Sequence, residues 1–316
     1  MPSLKKLKST RVVVIGAGFV GSTAAYTMML QGVSEEIVLV DVNKVKCDGE
    51  ALDIEHALSF APEARVWAGD YKDCAAADVV VVCAGINQKP GQTRLELART
   101  NVKIISDVVK NVCKFTGDAV ILMVTNPLDV LTYTALKVSG LPKNQVFGTG
   151  TTLDSSRFRY LLAKKYDMDP HSMGAYLIGE HGDSEVPVFS HANVMGENIK
   201  SLPEYDKNAA AAAYVRTRDS AQEIICKKNA TYYGIAAAIS RIVRSILDDE
   251  NHAYSVSSLM TGQYGVKDVC ISLPSIVGRS GIKRVLDNIE LSAEEKKKFQ
   301  QSAKIIRKAL DEAGVK

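Results

Sequence analysis

The sequence contains no CxxC pair, no internal repeat and no low-complexity tract, and only one tryptophan. Its six cysteines, Cys47, Cys74, Cys83, Cys113, Cys226 and Cys270, are scattered through apolar strand and helix patterns. Reduced and mostly buried thiols are expected, with neither a disulfide framework nor a metal site. No apolar run approaches the ~18 residues of a membrane span. The basic start, MPSLKKLKST, leads into RVVVIGAGFVG, where glycine interrupts the apolar run after five residues, so a signal peptide is not expected. Charge of one sign is also scarce. The formal balance is +3, with lysines and glutamates interspersed, which argues against a nucleic-acid surface. These absences leave a cytoplasmic protein with no membrane or nucleic-acid partner as the expectation.

What is present is a globular balance of 46% apolar and 24% charged residues over 316 positions. That length suggests two domains of about 150 residues, and the rhythm of the chain changes near Gly150. The expected division is 1–148 and 149–316. In the first part RVVVIG (11–16), IVLVD (37–41), RVWAG (65–69), DVVVVCAG (78–85), DAVILMVTN (118–126) and QVFGTG (145–150) read as strands. Continuous β-branched runs imply strands covered on both faces. Helical patterns separate them, so repeated βαβ units and a doubly wound parallel sheet of Rossmann type are predicted. The second part, with helices expected at 206–228 and 230–249 and a β-rich stretch over 254–277, reads as a mixed α+β substrate domain. Ser292 and Glu295 form a capping box, and Phe299, Ile306 and Leu310 share the packed face of the last helix.

GAGFVG, Gly16 to Gly21, follows the first strand and opens a helix, and Asp41 ends the next strand twenty residues beyond Gly21. In that context Gly16 permits the tight turn, Gly18 lets a pyrophosphate approach the backbone, and Gly21 lets helix and strand pack closely. An acidic Asp41 can accept from both hydroxyls of an adenosine ribose and repels a 2′-phosphate. NAD is therefore expected rather than NADP.

Four further stretches carry polar groups where such a fold binds ligands. GINQKPGQTRLELARTN (85–101) bears Gln88 and Arg94 after a strand, and VTNPLD (124–129) bears Asn126. TLDSSRFR (152–159) places Asp154 and Arg157 three apart on one helical face. GEHGDSEVP (179–187) holds His181 between glycines. Each also reads as solvated charge, a plain ion pair or a turn. Together, in this order and spacing, with IGEHGDSEVPVFSHANV and ATYYGIA, they resemble the L-lactate/malate dehydrogenase family from end to end, most closely its bacterial L-lactate members.

The resemblance implies roles that physical chemistry can support. Reducing a 2-keto acid needs a proton delivered to the carbonyl oxygen, and histidine exchanges protons near neutrality. His181 matches the acid/base and Asp154 the carboxylate that orients it. Arg157 matches the fork that grips the substrate carboxylate, and Arg94 a loop arginine that polarises the carbonyl. Asn126 is expected to hydrogen-bond near His181, and Thr231 to stand beside the substrate, while the glycines of GEHG let substrate approach. Glu180 and Asp183 are expected to be structural and His56 to serve packing or a subunit contact, while the sequence identifies no partner for His171, His191 or His252. The implied cofactor surface comprises Gly16, Gly18, Phe19, Val20, Gly21, Asp41, Lys46, Tyr71, Gly85, Ile86, Val124, Asn126, Thr149 and Ile235. Gln88 matches lactate enzymes, where malate enzymes carry arginine for a second carboxylate, so pyruvate and lactate are the expected small-molecule substrates. A homotetramer is implied as well. Gln92, Ile86 and Gly174 depart from the common bacterial pattern. Gly174 stands where relatives activated by fructose 1,6-bisphosphate carry a histidine, so little activation is expected.

Overall fold

A computed structural model describes residues 9–86 and 93–315. The valine-rich runs form the strands they predict. β1 (Arg11–Ile15), β2 (Glu36–Val40), β3 (Arg65–Ala68), β4 (Val79–Val82), β5 (Val120–Met123) and β6 (Val146–Gly148) pair in parallel in the order β6-β5-β4-β1-β2-β3. Because both faces are covered, every residue of β2, β4 and β5 is buried. The order reverses between β1 and β4, and such a switch point opens a crevice at the carboxyl ends of the strands.

The intervening helices supply the cover. On one face α1 (Phe19–Leu30), α2 (Lys44–His56) and α7 (Tyr233–Leu247) bury Ala24, Met28, Ile54, Ile239 and Val243 against Val12 and Val81. On the other, α3 (Arg94–Cys113), α4 (Leu128–Ser139) and α8 (Ala293–Ala313) bury Ile105, Leu131 and Phe299 against Val13 and Val80. The Ser292–Glu295 capping box starts α8, and Phe299, Ile306 and Leu310 are its buried stripe. A third cluster joins α5 (Thr152–Lys165) to α6 (Lys207–Lys228) through Phe158, Leu162 and Ala210.

The β-rich stretch of the second part does not make a sheet of its own. β7 (His252–Thr261), β8 (Lys267–Gly278) and β9 (Gly281–Val285) run antiparallel and extend the first sheet to nine strands, β7 pairing with β6 through Ser257 and Gly148. The exposed flank of β6 offers unpaired backbone groups, and β7 satisfies them. Side-chain hydroxyls reinforce the junction. Thr152 Oγ1 donates to the Ser255 carbonyl of β7 at 3.1 Å, and the Ser272 hydroxyl of β8 accepts from the Thr151 N–H at 3.1 Å.

All six cysteines are free; Cys47, Cys74 and Cys270 are buried and Cys226 is exposed. Burial pushes the Cys74 and Cys83 thiols up to about 12, so they stay protonated. Among the described residues no helix is long and apolar enough to cross a membrane.

Candidate active site

Loops at the carboxyl edge of the parallel sheet build the first half of the site. The chain leaves β1 through Gly16 at φ +104°, where a Cβ would lie 2.6 Å from the Ala84 nitrogen. Gly21 is constrained from the helix side, for its Cβ would meet the Gly16 carbonyl at 1.9 Å. Gly18 instead faces open space, and α1 starts from it without a side-chain cap. The first amides of α1 and its positive dipole end thus look into an opening shaped for a pyrophosphate. Asp41 braces this loop, accepting from the Ala17 N–H at 2.7 Å and the Asn43 N–H at 2.8 Å. Each of its oxygens keeps a lone pair for a ribose hydroxyl.

Asn101, fully buried in α3, ties two strand ends together. Its Oδ1 accepts from the Ile86 N–H at 2.9 Å, and its Nδ2 donates to the carbonyls of Ile86 at 3.2 Å and Asn126 at 2.8 Å. Gly85 lies beneath this junction, where a Cβ would meet Thr125 Cγ2 at 2.4 Å. The remaining cofactor expectations divide. The exposed Phe19 ring stacks on Tyr232 with centroids 5.4 Å apart, and the Lys46 amine sits 5.8 Å from the Phe19 ring. Thr231 precedes that tyrosine and is partly buried. Val20, Val124 and Ile235 pack against one core and Tyr71 against the other. Thr149 is closed off, 2% exposed, with its N–H on the Met123 carbonyl at 3.0 Å.

The second half is built on α5. Asp154 and Arg157, one turn apart, pair at 2.9 Å through Arg157 Nη1 and Asp154 Oδ1. The other carboxylate oxygen, Oδ2, lies 2.6 Å from His181 Nδ1. One carboxylate, 5% exposed, therefore joins both expected partners. Burial opposes a charge on the imidazole. The adjacent Asp154 carboxylate outweighs it, Asp129 and Glu185 adding, and raises the ring to about 9. Burial also opposes the Asp154 charge, but His181 and Arg157 hold that carboxyl below its ordinary range.

Asp129 went unnoticed in the sequence although it closes VTNPLD. Its Oδ2 accepts from the His181 N–H at 2.8 Å and its Oδ1 from the Ser257 hydroxyl at 2.6 Å. Burial pushes its carboxyl up to about 6 against these two bonds. The partners lie 52 and 128 residues away, so no local pattern announces them.

Several expectations change. Asn126 presents its backbone carbonyl to Asn101, and among the described residues its side chain makes no hydrogen bond to His181. The glycines flanking His181 shape the turn rather than open it to substrate. Gly179 has φ +96° and is paired in both directions with Ser272 at 3.0 Å, and a Cβ on Gly182 would meet the Glu180 side chain at 3.2 Å. Glu180 is structural as expected, its N–H donating to Ser302 Oγ at 2.8 Å and its carboxylate accepting from Ser184. Three histidines do have partners. His171 lies 2.7 Å from Asp169, His191 2.9 Å from the Glu290 carbonyl, and His252 against the Tyr254 ring. His56 occupies the last turn of α2 and is exposed. Gln88 and Gln92 lie outside the described residues, and Arg94 enters as the backbone position that opens α3.

A cavity of about 700 Å³ lies away from His181, lined in part by Ser156, Arg159, His171, Gly174, Arg241 and His252. Arg159, next but one to Arg157, makes no hydrogen bond among the described residues. A Cβ on Gly174 would come within 2.7 Å of the Asn193 amide.

Known proteins share this arrangement across nearly the whole chain. The lactate/malate dehydrogenase NAD-binding domain matches residues 10–148, and the family's alpha/beta C-terminal domain matches residues 151–315. L-lactate dehydrogenase 1 of Bacillus cereus is 47% identical over 305 residues, covering 95% of this chain and 97% of its own. L-lactate dehydrogenase of Priestia megaterium is 46% identical, with 98% of both chains covered. The ligand-bound crystal structure of the minor L-lactate dehydrogenase of Enterococcus mundtii superposes with a TM-score of 0.94 at 42% identity, covering 96% of this chain and 98% of that one.

The Asp129 geometry gives a test by contrast. In Asp129→Asn the Ser257 hydroxyl can reverse and accept, so both bonds survive and the stability loss should stay below about 1 kcal/mol. Asp129→Ala orphans two buried donors and should cost about 2–4 kcal/mol. Urea midpoints at fixed protein concentration check this, and equal losses in the two variants would contradict it.

Proposed function

Because the chain belongs to the lactate/malate dehydrogenase family, we propose that His181, Asp154 and Arg157 carry its reaction. That reaction is the NAD-dependent interconversion of pyruvate and L-lactate. The observation that supports the assignment is the single buried carboxylate bound to His181 at 2.6 Å and to Arg157 at 2.9 Å.

NAD suits the crevice at β1 and β4, where the bare start of α1, the space at Gly18 and the Asp41 carboxylate face one opening. Bound NADH supplies the hydride to the carbonyl carbon of pyruvate. His181 gives the proton to the carbonyl oxygen. Asp154 engages Nδ1, which leaves Nε2 for the substrate, and the ring is protonated at neutral pH because Asp154 holds it near 9. Arg157 offers the substrate carboxylate the guanidinium edge that Asp154 does not use. In the reverse direction neutral His181 accepts the hydroxyl proton, so rising pH favours lactate oxidation. The family resemblance assigns the rest of the substrate pocket to Gln88, Arg94, Asn126 and Thr231.

Gln88 favours pyruvate over oxaloacetate, whose second carboxylate would stand unpaired beside a neutral amide at a cost of about 1–3 kcal/mol. A cytoplasmic homotetramer completes the reading, without a nucleic-acid or membrane partner. The exposed Tyr26, Leu30 and Leu52 on α1 and α2 support burial against another subunit. Light scattering on the purified protein gives the subunit number.

His181→Asn should lower pyruvate turnover by about a thousandfold or more while NADH still binds, since the glycine loop and Asp41 are untouched. Stopped-flow NADH oxidation beside NADH fluorescence titration checks this, and near-normal turnover would overturn the assignment. Gln88→Arg should move the ratio of kcat/KM for oxaloacetate over pyruvate upward by about tenfold or more; an unchanged ratio would mean that Gln88 does not face the substrate. Gly174 supplies no cation to a phosphate, so millimolar fructose 1,6-bisphosphate should leave the half-saturating pyruvate concentration unchanged. A several-fold fall would show that Arg241 and His171, in the same cavity, replace the missing side chain.

A further inference from the structure

Glu185 closes the turn that carries His181 and, beyond its contribution to the imidazole's charge, has been given no role. Its N–H donates to the Gly182 carbonyl at 3.2 Å, and its own carbonyl accepts from the Tyr214 hydroxyl at 2.9 Å. The backbone is therefore secured without the side chain. Yet the residue is only 6% exposed, and among the described residues its Oε1 is buried with no hydrogen-bond partner. Enclosing a carboxyl and leaving an oxygen unpaired weakens a fold by about 1–3 kcal/mol relative to an apolar side chain. A packing role gives no reason for such a group here.

Its surroundings do give one. The charges that act on it are Asp154 and Arg157 of α5, Arg218 of α6 and His181 four residues earlier on its own turn, while the Tyr214 hydroxyl of α6 binds its carbonyl. Arg218 is paired with Asp219, and Asp129 of α4 acts on His181 from the other side. Asp183, in the same turn, acts on Tyr214 and Arg218. We propose that Glu185 is a positioning residue for the reaction: without touching substrate, its buried carboxyl keeps the proton on His181 as the medium turns alkaline. The proposal rests on His181 being the proton donor.

The charges support it. With Glu185 protonated, Asp154 and Asp129 balance His181 and Arg157. Burial, then the nearby Asp154, push Glu185 up to about 8, just below the value of about 9 at which His181 titrates. Its charge thus develops on the alkaline side of neutrality, and an added anion beside the imidazole favours the charged ring. Tyr214 cannot substitute, since burial and Glu185 push its phenol up to about 12.

The test uses the full-length enzyme. The pH profile of kcat/KM for pyruvate is compared in wild type, Glu185→Gln and Glu185→Asp. Glu185→Gln should fall at most about twofold near pH 6.5, where the wild-type side chain is also neutral. Its alkaline limb should move down by about half a unit or more, leaving it about threefold or more below wild type near pH 9. Glu185→Asp, which keeps the charge, should restore most of the limb. The second readout does not depend on turnover. Histidine labelled with 15N gives five imidazole titrations, His181→Asn identifies the relevant one, and its midpoint should drop in Glu185→Gln. An unmoved His181 midpoint in folded Glu185→Gln, or an equal loss of rate at every pH, overturns the proposal. If Glu185→Gln does not fold, the 13Cδ titration of Glu185 in the wild type decides: a midpoint in the ordinary glutamate range overturns it, and an alkaline midpoint that moves with His181 upholds it. Wild type that fails to reduce pyruvate would sink the functional reading, while the imidazole titration would still judge Glu185.

Discussion

One buried carboxylate organises the proposed active site of this protein. Asp154 has its two oxygens on two different cations, Nδ1 of His181 and Nη1 of Arg157. The helix sets the spacing of Asp154 and Arg157, and the turn at 179–185 brings His181 to them. A carboxylate so enclosed would be unfavourable alone, and either cation alone would leave an oxygen unpaired in a dry place. The arrangement is stable only as a trio. Consequently His181, the proposed acid/base group, and Arg157, the proposed carboxylate grip, share one rigid reference point, and what displaces one displaces the other.

The trio stands at the junction of two kinds of sheet. Asp129 belongs to a helix that covers the parallel strands, yet it holds the His181 backbone and the Ser257 hydroxyl, which lies on the antiparallel extension. The Thr151 N–H, on the Ser272 hydroxyl, and the Thr152 hydroxyl, on the Ser255 carbonyl, make similar crossings from the start of α5. A single backbone rung, Ser257 with Gly148, is thus reinforced by side-chain hydroxyls. Ser255, Ser257, Ser272 and Ser275 are all nearly inaccessible on these strands. The Ser257 hydroxyl donates to Asp129 and the Ser272 hydroxyl accepts from the Thr151 N–H, so these two polar residues serve as cross-links within a core.

Local pattern carried much of this into the sequence. The β-branched runs marked the parallel strands to within a few residues, and strand, glycine turn and helix together marked the crevice. Asp154 and Arg157 were legible because three residues apart on a helix is a geometric statement. Asn101, Asp129 and Glu185 were not. Each looks like an ordinary polar residue until distant segments meet around it, as Asp129 does with Ser257 across 128 positions. The same limit hid the extension of the sheet, because β-rich composition in 254–277 says nothing of which edge those strands will join. The glycines beside His181 misled for a related reason. Their spacing suggested openness, whereas Gly179 is consumed by a left-handed turn paired with β8.

The nine-stranded sheet has a mechanical consequence. Among the described residues, strands from both parts of the chain share one hydrogen-bonded plate, with β6 and β7 side by side within it. A plate of this kind resists rotation of one half against the other, because such a hinge would have to break the main-chain rung and shear the hydroxyl cross-links together. Any closure around a bound substrate would therefore fall to segments that ride on the edge of the plate, and the Asp154–His181–Arg157 trio, held at the seam, would be the stationary part against which they move.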